Sequence, residues 1–128
     1  MSTSDKNICV IGLGYVGLTL SIVLAKKKFN VYGIENNLLT LKSLKKGITG
    51  IFEPNLNKLL KKFFKNKKLS ISSKLPDNNI IDIFIITVGT PINSSKKISM
   101  QNIENIAKDV GLKMKPNSLF ILMSRAAV

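Results

Sequence analysis

The stretch NICVIGLGYVGLTLSIVLAKKK, Asn7 to Lys28, carries two incompatible readings. From Ile8 to Ala25 it holds eighteen uncharged residues, and a lysine cluster follows. At helical rise such a run extends roughly 27 Å, the lower limit for a membrane span. Lys6 and Lys26 to Lys28 would then serve as its flanks, or as the ends of a signal peptide. The same run, however, places Gly12, Gly14 and Gly17 at the G-x-G-x-x-G spacing of a phosphate-holding turn. Three features decide for the turn. The opening ICVI is rich in β-branched residues and suits a buried strand. Each of the three glycines would cost a helix interior about 1 kcal/mol. No small-residue cleavage site follows; the chain passes into FNVYGIE, a second short strand. The expectation is strand, turn and helix, with no membrane partner.

In that reading each glycine has a task. Gly12 ends the strand in a tight turn, Gly14 leaves the backbone bare for a pyrophosphate, and Gly17 lets the new helix approach the sheet. The helix starts near Tyr15, so its unpaired N–H groups and positive dipole end face the phosphates. Glu35 closes NVYGIE, eighteen residues after Gly17. A carboxylate at the tip of the second strand can accept both ribose hydroxyls of an adenosine and repels a 2′-phosphate, which favours NAD over NADP. The plainer alternative for Glu35 is a solvated acid opening the next helix.

Composition bounds the rest. With 128 residues, 45% of them hydrophobic, the chain suits one domain burying roughly two-thirds of its unfolded surface. The expected division is a single domain over 1–128, with a flexible tail over 1–6 and an atypical one over 125–128. The net charge of +13 is almost all lysine, Arg125 being the one arginine. Such a charge raises a polyanion-binding module as an alternative function. The lysines are scattered, though, and no aromatic is interleaved with them as a stacking platform, so nucleic acid is not an expected partner. With one cysteine, Cys9, and no histidine, the chain can form no internal disulfide, thiolate–imidazole metal site or histidine triad. This usage fits a reducing cytoplasm. Cys9, between Ile8 and Val10, reads as a core residue.

Further along, LLTLKSLKKG reads as a helix stopped by Gly47, and Leu56, Leu59, Leu60 and Phe63 recur at helical spacing. LSIS is a short strand, and DIFIITVGTP is an apolar run ending in a loop, as a central parallel strand would. INSSKKIS reads as a polar loop, MQNIENIAKDVGLKM as a helix burying Ile103, Ile106, Ala107 and Val110, and SLFILM as a buried strand. The order β-α-β-α-α-β-β-α-β implies the α/β class: a doubly wound parallel sheet of strand order 3-2-1-4-5. Ligand belongs at the carboxyl ends of the first and fourth strands, where Gly12–Gly17 and Val88–Pro91 meet.

GLGYVG (12–17), VYGIE (31–35), FEPNL (52–56) and VGTP (88–91), in this succession, resemble the N-terminal NAD-binding domain of the UDP-glucose/GDP-mannose dehydrogenase family. The likeness runs from about Asn7 to Ser124. It implies oxidation of C6 of a UDP-hexose, a UDP-N-acetylhexosamine or UDP-glucose, to the uronate for surface polysaccharide biosynthesis, in a family that forms homo-oligomers. It also implies that Tyr15 and Val16 offer N–H groups to the pyrophosphate and that Glu35 replaces the usual aspartate at the ribose. Thr90, with Val88 and Gly89, would touch the cofactor. The candidate cofactor residues are thus Gly12, Leu13, Gly14, Tyr15, Val16, Gly17, Glu35, Val88, Gly89 and Thr90, with none catalytic and none metal-ligating.

Departures from the family pattern are specific. Thr40 stands where a basic residue is usual, Asn55 follows Glu53-Pro54 where glycine is usual, and Arg125 matches a threonine expected to position water. Pro54 is open to two readings, helix starter or substrate contact. The family's sixth strand, connecting helix and cysteine-bearing sugar domain are missing from these residues, so a truncated chain is expected. It acts either as the cofactor half of the enzyme or as a catalytically inactive NAD-binding fragment.

Overall fold

The apolar run that opens at Asn7 stays extended for five residues and then turns. Strand β1 (Asn7–Ile11) ends at Gly12, whose φ of 93° lies in the left-handed region that favours glycine, and helix α1 begins at Tyr15 and ends at Lys26. The computed structural model describes residues 6–49, 55–77, 79–87 and 97–123. After α1 come β2 (Asn30–Ile34), α2 (Leu38–Lys45), α3 (Leu56–Lys65) and β3 (Leu69–Ser72). They are followed by β4 (Ile83–Ile86), α4 (Lys97–Lys113) and β5 (Leu119–Leu122). The five strands form one parallel sheet of order β3-β2-β1-β4-β5, as the alternation of elements predicts.

Because side chains alternate along a strand, β1 divides between two cores. Ile8 and Val10 join Leu18, Ile22 and Ala25 of α1 and Leu56, Leu60 and Phe63 of α3 on one face. Cys9 and Ile11 join Phe84, Ile86 and Val110 of α4 on the other. Cys9 is fully buried, and burial pushes its thiol up to about 12, so it is the core residue expected. Asn37 caps α2 by accepting from the Thr40 N–H at 3.1 Å, worth about 1 kcal/mol, and Gly47 stops that helix at φ 77°.

Charge placement follows the helices. None of the four has an acid in its first turn, and each has lysine in its last: Lys26, Lys42 and Lys45, Lys62 and Lys65, and Lys113. Cations there complement the negative ends of the helix dipoles. At the amino edge of the sheet, Asp82 accepts from the Asn7 N–H at 2.8 Å and pairs with Lys115 at 2.7 Å. Partial burial pushes its carboxyl up, but the Asn7 N–H together with Lys115 and Lys6 outweighs this and holds it below the usual range.

Two expectations are corrected. Helix α4 starts at Lys97, inside the stretch read as a polar loop, because lysine and serine disfavour a helix by only a few tenths of a kcal/mol and polarity alone does not break one. Strand β5 is not buried: Leu119 and Leu122 are 53% and 47% exposed. It pairs with β4 alone, at the sheet edge. Its register puts Leu119 and Ile121 beside Ile83 and Ile85, on the α1 face, where no described element covers them, while Phe120 packs into the opposite core.

Candidate functional site

The carboxyl ends of β1, β2 and β4 meet at the glycine turn. Gly12 donates its N–H to the Ile34 carbonyl at 2.8 Å, and Thr87, directly after β4, donates its N–H to the Ile11 carbonyl at 2.8 Å. These are the last main-chain bonds on either side of β1. Beyond them the turn is held by side chains. The Glu35 carboxylate accepts from the Leu13 N–H at 2.9 Å through one oxygen and from the Asn37 N–H at 2.9 Å through the other. The Thr87 hydroxyl donates to the Gly12 carbonyl at 2.6 Å.

The remaining two glycines differ in kind. A Cβ at Gly17 would lie 1.8 Å from the Gly12 carbonyl oxygen and 2.4 Å from Thr87 Oγ1, so bare backbone is needed for α1 to reach the sheet. A Cβ at Gly14 would meet nothing within 4 Å among the described residues, and the residue sits at φ −73°, ψ −160°, which any amino acid adopts. Nothing among the described residues therefore requires glycine at position 14. The bare backbone there leaves space on the outer side of the turn that no described residue fills.

The helix end beside Gly14 suits an anion. Gly14, at the N-cap, has no side chain with which to cap α1, and the first helical bond runs from the Leu18 N–H to the Gly14 carbonyl. The N–H groups of Tyr15, Val16 and Gly17 thus lack intrahelical partners. Tyr15 and Val16 are 59% and 45% exposed at this end. Leu13, in contrast, is buried in the core and lies against Gly33, where a Cβ would come within 3.0 Å of its Cδ1.

Glu35 is not a solvated acid opening α2, a place taken by Asn37. It reaches back under the turn, and each oxygen keeps acceptor capacity beyond its one backbone bond. Next to it opens a cleft of about 460 Å³ between α4 and the residues after β3, within the usual size range of small-molecule sites. Ile11, Ile34, Leu75, Ile106 and Leu112 give it apolar walls. At its rim Lys113 is hydrogen-bonded to Asp77, and that bond and charge hold the Asp77 carboxyl below the usual range.

Of the ten residues singled out in the sequence, seven meet around this turn. Val88, Gly89 and Thr90 lie outside the described residues, as do Glu53, Pro54 and Arg125. Thr87 was not singled out. Its one signal in the sequence is a hydroxyl residue at the carboxyl end of an apolar strand. Among the described residues no group of three or more acids and thiols could hold a metal, and no helix is long and apolar enough to cross a membrane.

A family model described as the UDP-glucose/GDP-mannose dehydrogenase family, NAD binding domain, matches residues 6–128. The chain is 32% identical over 125 residues to the UDP-N-acetyl-D-mannosamine dehydrogenase of Yersinia pestis, covering 98% of this chain and 29% of that protein. It is 31% identical over 123 residues to a UDP-glucose 6-dehydrogenase of Bacillus subtilis, covering 95% and 28%. A solved UDP-N-acetyl-mannosamine dehydrogenase from Staphylococcus aureus superposes with a TM-score of 0.81 at 30% identity, covering 95% of this chain and 29% of that one. The chain therefore spans less than a third of the length of these relatives.

Proposed function

Because the chain belongs to the UDP-glucose/GDP-mannose dehydrogenase family and matches its NAD-binding domain, we propose that it forms the cofactor half of a nucleotide-sugar 6-dehydrogenase. The observation that carries this is Gly14, which no described residue requires to be glycine, at the N-cap of a helix that it cannot cap with a side chain. The Tyr15 and Val16 N–H groups bind the diphosphate. The free lone pairs of Glu35 accept the adenosine ribose hydroxyls, and the apolar walls of the cleft beside it offer the adenine a surface. Val88, Gly89 and Thr90, which follow Thr87 in the sequence, complete the set of cofactor residues that the family resemblance implies. When bound, NAD supplies the hydride acceptor for alcohol oxidation. The substrate is a UDP-hexose, oxidised at C6 to a uronate for surface polysaccharide in the cytoplasm.

A second reading, NAD binding without turnover, is favoured by Cys9. This thiol is sealed in β1 and raised to about 12, so Cys9 does not offer the thiolate that capture of an aldehyde requires. The test is calorimetry with NAD and NADP on the parent protein and Glu35→Ala, followed by NADH formation with UDP-glucose and UDP-N-acetylhexosamines. The parent should prefer NAD, and Glu35→Ala should weaken NAD about tenfold while weakening NADP less. Equal weakening of both removes Glu35 from the ribose. Binding without NADH formation selects the second reading, and an absence of NAD binding rejects both.

A further inference from the structure

The Gly12–Leu13 peptide unit is held at both ends by side chains from different strands. A trans peptide points its C=O and N–H in opposite directions, and the described chain has no cis bond. The Gly12 carbonyl faces β4 and accepts from Thr87 Oγ1 at 2.6 Å; the Leu13 N–H faces β2 and donates to Glu35 Oε1 at 2.9 Å. The two contacts extend the ladders on each side of β1 by one peptide, with side chains in place of backbone. Thr87 is buried, and its hydroxyl sits with the Gly12 carbonyl in the notch that Gly17 leaves open.

We propose that Thr87 is a positioning residue for the diphosphate site: with Glu35 it clamps the Gly12–Leu13 peptide plane, so that the Gly12 carbonyl cannot swing toward the bound anion. The need for the clamp comes from Gly12 itself. Without a Cβ its neighbouring peptide planes rotate over a wide range, and a rotated carbonyl would turn its negative end toward the phosphates. Fixing the peptide beforehand removes that ordering cost from the binding step. Thr87 touches no cofactor in this arrangement and acts through the turn. The inference rests on NAD binding at this turn, but the clamp itself has a readout without ligand.

Thr87→Val keeps the shape and removes the donor; Thr87→Ser restores it; Thr87→Ala serves if valine does not fold. NAD, ADP and adenosine are titrated by calorimetry, and amide hydrogen exchange is followed without ligand. Thr87→Val should weaken NAD and ADP about tenfold, change adenosine less than about twofold, and speed exchange of the Leu13 amide about tenfold with Val10 unaffected. Thr87→Ser should return all of these to parental values. Parental NAD affinity in Thr87→Val overturns the proposal, as does an equal loss for adenosine, which would mark general damage, or an unchanged Leu13 amide. Should the parent protein fail to bind NAD, the cofactor reading falls, and Leu13 exchange alone still decides whether the clamp exists.

Discussion

Valine at position 14 is expected to leave the protein as stable as its parent and to weaken NAD binding at least about a hundredfold. The stability half follows from the backbone: φ −73°, ψ −160° is extended, which a β-branched residue favours, and the new Cβ meets no atom of the described residues within 4 Å. Losing a glycine also restricts the unfolded chain, which offsets small strain elsewhere. The binding half follows from geometry on the outer side. On the proposed reading, a branched side chain at 14 would occupy the space beside the Tyr15 and Val16 N–H groups that the diphosphate takes, and its charge-assisted hydrogen bonds would be lost. Thermal unfolding and calorimetric titration of Gly14→Val separate the two halves. Parental NAD affinity in a folded variant contradicts the assignment of the turn.

Gly17→Ala should behave in the opposite way, although it adds a smaller group three residues along. Its Cβ would lie 1.8 Å from a backbone oxygen and 2.4 Å from Thr87 Oγ1. The carbonyl belongs to the turn and cannot give way as a flexible side chain would. Helix α1 must therefore lift from the sheet, opening the core formed by Leu18, Ile22 and Ala25 with Ile8 and Val10. Overpacking of this kind costs about 3 kcal/mol or more, which at this chain length lowers the melting temperature by roughly 10 °C or more. An unchanged melting temperature would show that the close approach of α1 to Gly12 does not exist in solution. Together the two variants divide the glycine motif into one residue kept for ligand and one kept for the fold.

What could be read from the sequence, and what could not, divides along the range of the interaction. The strand-turn-helix at 7–26, the alternation of elements and Glu35 at a strand tip are encoded within a few residues of each other. Hydrophobic period and glycine spacing sufficed for them, and the strand order followed from alternation and handedness. Thr87 is different. Its partners are 75 and 76 residues away, and only the register of β4 against β1 brings them together. No local pattern distinguishes it from any threonine at a strand end. The exposure of β5 escaped for a related reason. An apolar run such as LFIL says that both strand faces are apolar, not that something covers them. The cleft is likewise a product of packing: its walls come from β1, β2, the residues after β3, and α4.

The most direct test is a crystal structure of this protein with NAD bound. The diphosphate oxygens should lie about 3 Å from the Tyr15 and Val16 N–H groups, with the adenosine ribose on Glu35 and its base toward the cleft. NAD seated anywhere else, with the turn from Gly12 to Gly17 free of phosphate, would contradict the account at its root.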